Sequence, residues 1–166
     1  VQNADDNQYA ADVVPELRLQ LVTGGLLVRN NELGFCADDV EAICDMAASQ
    51  KRQRPGCIGH KGIGFKSVFR YCQTPYIRSG EFCFRLGHDA ADASRENESR
   101  GISFITPKWV EQDDFPVPPL AGFSTSMFFP LDCSHGGTTS FCAHLREEFK
   151  PELLLFLRRL RVIEFA

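Results

Sequence analysis

The first half of the chain shows strand-like and then helix-like hydrophobic patterns. Residues 17–21 alternate apolar and polar side chains, and a second apolar run begins at Leu26, after the turn at Gly24-Gly25. These two stretches predict a β-hairpin. Apolar side chains then recur at helical spacing over 39–49, with aspartates at the start, where a helix dipole favours negative charge. These features predict a helix over 39–49.

The rest of the chain adds further predicted elements. Strands are expected over 76–79, 82–86, 101–105, 123–131 and 161–165. Helices are expected over 1–11, 65–71, 141–149 and 152–160, with a charged insertion over 87–100. Together these elements predict one α+β domain, built as a two-layer α/β sandwich. Its mixed, mostly antiparallel sheet is expected to be covered by helices on one face.

Composition and charge narrow the function classes. The chain has 166 residues, 43% of them hydrophobic and 24% charged, which is typical of a globular domain with its own core. No apolar run is long enough to cross a membrane. A net charge of −4 argues against general nucleic-acid binding. However, residues 50–80 contain basic and no acidic side chains. This indicates a local anion site, the alternative being a solvated basic loop.

The cysteines indicate the cellular compartment of the protein, and the first residue indicates whether the sequence is a fragment. The chain has 7 cysteines and no C-x-x-C spacing, which disfavours a disulfide framework and indicates an intracellular protein, cytoplasmic or nuclear. Cys133, His135, Cys142 and His144 leave a zinc site as an alternative, within a sequence typical of a loop. The chain starts at Val1 without Met or signal peptide, so we expect an N-terminally truncated fragment of a larger protein.

Residues 58–70, IGHKGIGFKSVFR, form the most informative segment. Gly59, Gly62 and Gly64 have a G-x-x-G-x-G spacing and lead into a predicted helix. Glycines allow the backbone to approach a ligand closely, and the free N–H groups at Phe65 and Lys66 suit a phosphate. Taken alone, the spacing is also compatible with an ordinary tight turn.

Three other stretches carry candidate chemistry. Asn3 and Asp6 share one face of a predicted helix, and an asparagine oxygen is a suitable ligand for Mg²⁺ that also holds phosphates. The stretch LLVRNNELGFCADD places polar residues at the end of a buried strand, where a side chain can bond a base edge. Thr125 places a hydroxyl within an apolar strand.

In this order, the motifs resemble those of the GHKL ATPases, which include gyrase, the ninety-kilodalton heat-shock chaperone, sensor histidine kinases and MutL. Residues 2–6 are similar to the N-box, 30–35 to the D-x-G-x-G box and 59–65 to the second glycine box. Ser124-Thr125 stands where that family has its late Gly-Thr. Within the superfamily the chain resembles the sacsin and NO VEIN-like branch, also over its end at 153–165.

The resemblance implies a single ATP-binding domain over 1–166 with the Bergerat fold, and roles for residues at both ends of the nucleotide. Asn3 would coordinate Mg²⁺ and bridge it to the phosphates, with Asp6 beside it lining the cleft. Asn30 stands where the family's adenine-reading aspartate stands, and Gly34 lets the backbone pass close to the nucleotide. Thr125 would support the adenine end through its hydroxyl.

The same resemblance assigns the phosphate end to the basic segment. Residues 36–58 would form a lid, with Lys51 near the phosphates. The cradle itself would be formed by Gly59, Gly62, Gly64, Phe65 and Lys66.

The chain departs from the family pattern in three ways. Asn30 replaces the aspartate, and a neutral acceptor makes a weaker hydrogen bond than a charged one. Glu32 replaces the first glycine of that box, which restricts the turn. The family's catalytic glutamate would lie four residues before Asn3, outside this sequence. We therefore expect ATP and Mg²⁺ binding here, and hydrolysis only in the full-length protein.

The expected partners follow from these roles. They are the nucleotide and either other domains of the same polypeptide or client proteins, with neither a membrane nor nucleic acid. Two alternatives remain open at this point. One is a nucleotide-free module that keeps the fold and serves as a protein-interaction scaffold, since fold does not fix function. The other is a histidine kinase catalytic domain.

Overall fold

The computed structural model describes residues 1–44, 65, 67–87, 104–131, 145, 147 and 150–166. In this part of the chain one seven-stranded sheet has the order β5-β4-β3-β6-β2-β1-β7. Its strands are β1 (Glu16–Val22), β2 (Gly25–Asn30), β3 (Tyr76–Ser79), β4 (Phe82–Arg85), β5 (Lys108–Trp109), β6 (Thr125–Pro130) and β7 (Val162–Phe165). All neighbouring pairs are antiparallel except β1 with β7. The prediction of an α+β fold with a mixed, mostly antiparallel sheet is confirmed.

The helices described are short. They are α1 (Gln2–Asp6), α2 (Ala37–Cys44) and 3-10 turns at Ser67–Arg70, Gln112–Asp114 and Pro151–Phe156. Helix α2 begins two residues before the predicted start, because the Asp39 carboxylate accepts the Cys36 backbone N–H at 3.0 Å and satisfies a donor of the first turn. Among the described residues, no helix combines the length and hydrophobicity that a membrane span requires.

Four predicted elements differ from the structure. The helix expected over 1–11 ends at Asp6, because the backbone of Asn7 is extended, with φ −70° and ψ 169°. Residues 67–70 form a 3-10 turn, and the amides of Tyr71 and Cys72 both bond the Val68 carbonyl, which ends the turn. Residues 104–106 are not a strand. The helix predicted over 152–160 is a 3-10 turn that ends at Phe156, because the next amides bond a side chain of α1 instead of continuing a helix.

The two faces of the sheet bury different clusters. The larger cluster joins side chains of β1, β2, β3, β4 and β6 to Ala4 of α1 and to Val40 and Ile43 of α2, so both helices cover the same face. The smaller cluster, on the opposite face, includes Leu27 and Phe128 and is covered by Phe115. Residues 110–124, which we call the strap, pass over this second face.

Candidate functional site

A row of polar side chains crosses the helix-covered face of the sheet. In the strand register, Asn30 of β2 lies opposite Thr125 of β6, and Thr125 lies opposite Ser79 of β3. Their exposed fractions are 4%, 2% and 0%. Since buried polar groups require hydrogen-bond partners, the bonds of this row determine which atoms remain able to bind a ligand.

Asn30 connects the end of β2 to α1 and to the start of β1. Its amide nitrogen donates to the Glu16 carbonyl at 2.9 Å and to the Tyr9 hydroxyl at 2.8 Å. Burial raises the pKa of Tyr9 to about 12, so its hydroxyl stays protonated and donates to the Ala4 carbonyl at 2.7 Å. The Asn30 amide oxygen has two long contacts, 3.4 Å from the Asn7 amide nitrogen and 3.3 Å from the Tyr9 hydroxyl, whose single proton goes to the nearer Ala4 carbonyl. This oxygen therefore keeps capacity as an acceptor.

Ser79 and Thr125 form a buried hydroxyl pair. Their oxygens are 2.5 Å apart, and the Ser79 oxygen also accepts the Phe35 backbone N–H at 2.9 Å. Two hydroxyls carry two protons, and only one of them lies between the two oxygens. The second proton has no acceptor among the residues that the structure describes. The pair is therefore able to donate one hydrogen bond to a ligand.

The loop after β2 closes over this row at Gly34. Gly34 has a φ of 96°, and a Cβ at this position would lie 3.6 Å from the Ser79 hydroxyl oxygen. The Ser124 hydroxyl donates to the Glu32 carbonyl and fixes the loop from the other side. The structure thus brings together three residues predicted for the nucleotide site, Asn30, Gly34 and Thr125.

Replacing Gly34 with alanine is expected to lower the free energy of unfolding by about 1–2 kcal/mol, since a side chain at positive φ is strained. Leu33→Ala is the matched control, because Leu33 is 61% exposed and has no positive φ. It should change stability by less than about 0.5 kcal/mol. Urea unfolding measures both variants, and equal midpoints would contradict the strain assigned to this loop.

The two site residues predicted on α1, Asn3 and Asp6, differ in their surroundings. Asn3 is exposed. The Asp6 carboxylate forms an ion pair with Arg158 at 2.9 Å, which connects α1 to the segment before β7. The role of Asp6 in lining a cleft stays a prediction. Asn3 is the residue of the pair whose side chain is open to a ligand.

Asp5 is a structurally important residue that the sequence reasoning missed. It is 4% exposed, and its carboxylate accepts the backbone N–H groups of Arg158, Arg159 and Leu160 at 2.9, 2.7 and 2.8 Å. Burial by itself raises the pKa of the Asp5 carboxyl, but these bonds and the Arg158 charge together lower it. The signal in the sequence was two adjacent carboxylates, Asp5 and Asp6, after an alanine in a stretch predicted to be helical.

Ser79 was also missed, although the alternation of β3 places it on the same face as Thr125.

Phe65, predicted to present its N–H to phosphate, has its side chain in the core with its ring 6.5 Å from that of Phe129. Arg78, part of the basic segment, points to the opposite face from Ser79. That guanidinium is therefore not part of the polar row.

The remaining predictions lie outside the described residues. They are Lys51, Gly59, Gly62, Gly64 and Lys66 of the phosphate end, and Cys133, His135, Cys142 and His144 of the alternative zinc site. In the described ranges, no group of three His, Cys, Asp or Glu side chains is placed to hold a metal ion, and no disulfide bond is present.

Comparison with known proteins identifies the family. The pattern that defines the Sacsin domain matches residues 1–103, from α1 through β4. The chain belongs to the Sacsin domain family. This Sacsin domain is 35% identical over 178 aligned residues to Protein NO VEIN of Arabidopsis thaliana, an alignment that covers 99% of the chain. It is 31% identical over 77 residues, 46% of the chain, to Sacsin of Homo sapiens.

The predicted resemblance to the sacsin and NO VEIN-like branch is confirmed by these matches. The Sacsin domain match includes Asn30, Gly34 and Ser79, and the alignment with Protein NO VEIN spans nearly the whole chain. The chain covers 6% of Protein NO VEIN and 2% of human Sacsin. It therefore corresponds to a small part of the length of either relative.

Proposed function

We propose that this Sacsin domain binds ATP together with Mg²⁺, as a GHKL-type domain with the Bergerat fold within a large chaperone-like or regulatory protein. The observation that supports this most strongly is the buried row of Asn30, Thr125 and Ser79, closed by Gly34. The row lies at the ends of β2 and β3 and at the start of β6, on the face that carries the helices.

The row offers both hydrogen-bonding functions that an adenine edge requires. The Asn30 amide oxygen is able to accept from the exocyclic amino group, and the spare hydroxyl proton of the Ser79–Thr125 pair is able to reach a ring nitrogen. Side chains opposite each other on paired strands lie about 4.5–5.5 Å apart, so one base edge can meet both Asn30 and Thr125.

The phosphate end would be formed by α1 and the basic segment. Asn3 is exposed on α1, whereas Asp5 and Asp6 are engaged by the segment before β7. Asn3 is therefore the residue that would hold Mg²⁺, which neutralises phosphate charge when bound. Lys51 and the glycine segment 59–66 would complete the contacts to the phosphates. Partners would be other domains of the polypeptide or client proteins.

Hydrolysis requires a general base that activates water. In the GHKL ATPases that the chain resembles, this base would be a glutamate four residues before the N-box asparagine, a position outside residues 1–166. The proposal for the chain itself is therefore nucleotide binding, with ATP hydrolysis in the full-length context.

Replacing Thr125 with valine is expected to weaken ATP binding about tenfold, because one buried hydrogen bond to the base is lost. Thr23→Val is the control, since it makes the same change at an exposed position in the turn between β1 and β2. Calorimetric titration with ATP and Mg²⁺ measures both, after thermal unfolding has shown that each variant is folded. An unchanged dissociation constant for Thr125→Val would contradict the assignment of the adenine end.

One observation favours a second candidate, a nucleotide-free module that serves as a protein-interaction scaffold. Both amide hydrogens of Asn30 are bonded within the chain, and Glu32 is buried where the family has glycine. Substituting both Gly62 and Gly64 by alanine separates the two functions. If the parent protein keeps its activity with both changes, the scaffold proposal holds and the nucleotide proposal fails.

A further inference from the structure

The face of the sheet opposite the polar row carries a row of arginines. In the strand register, Arg18 of β1 lies opposite Arg29 of β2. Arg29 also lies opposite Ser126 of β6, and Ser126 lies opposite Arg78 of β3. Arg29 and Arg78 are each 7% exposed. Two guanidinium groups are thus buried on either side of a buried serine, beneath the strap.

The outermost arginine of the row is balanced by carboxylates. Arg18 forms ion pairs at 2.9 Å with both Glu16 and Glu164, and it stacks over the Phe123 ring at 4.9 Å. Its side chain is 29% exposed, so water also screens its charge. Arg18 therefore needs no further counterion.

The two inner arginines have neutral partners. Arg29 donates to the Gln20 side chain at 3.3 Å and to the Pro118 carbonyl at 3.2 Å. Arg78 stacks on the Phe115 ring, with 4.3 Å between its guanidinium carbon and the ring centroid. Within the described part of the chain, the Arg29 Nε and the Arg78 Nη2 are buried and make no hydrogen bond. Each inner arginine thus keeps a donor that faces neither water nor a partner.

This arrangement is costly unless an anion neutralises it. Buried charges are normally paired, and like charges at close range destabilise each other. Burial lowers the pKa of Arg29, and the positive charges of Arg78 and Arg18 lower it further. Between the two long side chains stands the short side chain of Ser126, which adds a hydroxyl donor.

We propose that Arg29, Ser126 and Arg78 form a binding site for a small oxyanion, either a phosphate or a carboxylate group. Guanidinium groups present planar pairs of donors that match the oxygens of both. The site lies across the sheet from Asn30 and Thr125, so it is separate from the proposed nucleotide site and does not depend on it.

The test compares thermal unfolding of the chain in sodium chloride, sodium phosphate and sodium acetate at equal ionic strength. A ligand that binds only the folded state stabilises it by mass action. We expect phosphate or acetate to raise Tm in a saturable manner, by about 3–6 °C at ten times the dissociation constant. A response to phosphate alone would identify a phosphoryl group as the ligand, and an equal response to acetate a carboxylate.

Arg78→Met is the decisive variant, because methionine keeps the contact with Phe115 and removes the charge. We expect it to be as stable as the wild type or more so in chloride, and to lose the response to the anion. Arg78→Gln serves as a second variant should the first not fold. Arg70→Gln removes an exposed charge and should keep the full response.

Two results would overturn the proposal. One is a wild-type Tm that is equal in all three salts. The other is a response that persists in Arg78→Met, which would place the anion elsewhere, such as at the glycine segment 59–66.

Discussion

Replacing Asp5 with alanine is expected to lower the free energy of unfolding by about 3–5 kcal/mol. The Asp5 carboxylate is buried, and it accepts three consecutive backbone N–H groups that precede β7. Without it, these donors remain buried and unsatisfied, and α1 loses its main connection to the end of the chain. Urea unfolding followed by circular dichroism measures the loss.

Asp12→Ala is the control for this prediction, because Asp12 is exposed. It should change stability by less than about 0.5 kcal/mol. The pH dependence gives a second readout. Since the pKa of Asp5 is lowered from 3.8 in the folded state, its stabilisation is complete above that pH and is lost as the pH falls through the lowered value. Asp5→Ala should lack this acid-dependent loss, and equal midpoints for Asp5→Ala and Asp12→Ala would contradict the account.

Replacing Asn30 with aspartate, the residue expected from the resemblance to the GHKL ATPases, is expected to destabilise the chain by about 2–4 kcal/mol. The Glu16 carbonyl is only an acceptor, so the Asn30 group 2.9 Å from it must be a donor. A carboxylate there would face the carbonyl oxygen without a proton between them. We infer that the Asn30 side chain holds β2 to β1 through its amide nitrogen, in addition to any bond that it makes to a ligand.

Gln8→Glu makes the same change of amide to carboxylate at an exposed position and should be close to neutral. Chemical unfolding of both variants provides the comparison. An Asn30→Asp protein as stable as the wild type would show that Asn30 does not act as the donor to Glu16.

The sheet could be predicted from the sequence because its signals are local. Alternation over 17–21 and the glycine turn at 24–25 define the β1–β2 hairpin, and the turn at Ser79-Gly80 defines β3 and β4. The parallel pairing of β7 with β1 joins residues far apart in the chain, and no local pattern encodes that pairing. Six of the seven strands were thus predictable one by one. The two-residue strand β5 was not predicted, and neither was the sheet order.

The residues of the candidate site likewise include some that local sequence motifs predict and some that depend on contacts with distant residues. Asn30, Gly34 and Thr125 were found because each belongs to a sequence motif. The roles of Asp5 and Ser79 depend on contacts with distant residues, 153 to 155 positions away for Asp5 and 46 for Ser79. The sequence also grouped residues that the structure separates. The charge pattern makes Arg78 part of the basic segment, but the pleat of β3 directs its side chain to the face opposite the polar row.

The central claim is that the buried row of Asn30, Thr125 and Ser79 receives a nucleotide. Calorimetric titration of the chain with ATP in the presence of Mg²⁺ tests it most directly. We predict a saturable heat with a dissociation constant below about 1 mM, which corresponds to roughly −4 kcal/mol of binding free energy. The absence of any binding heat at millimolar ATP, from a protein shown to be folded, would contradict the claim.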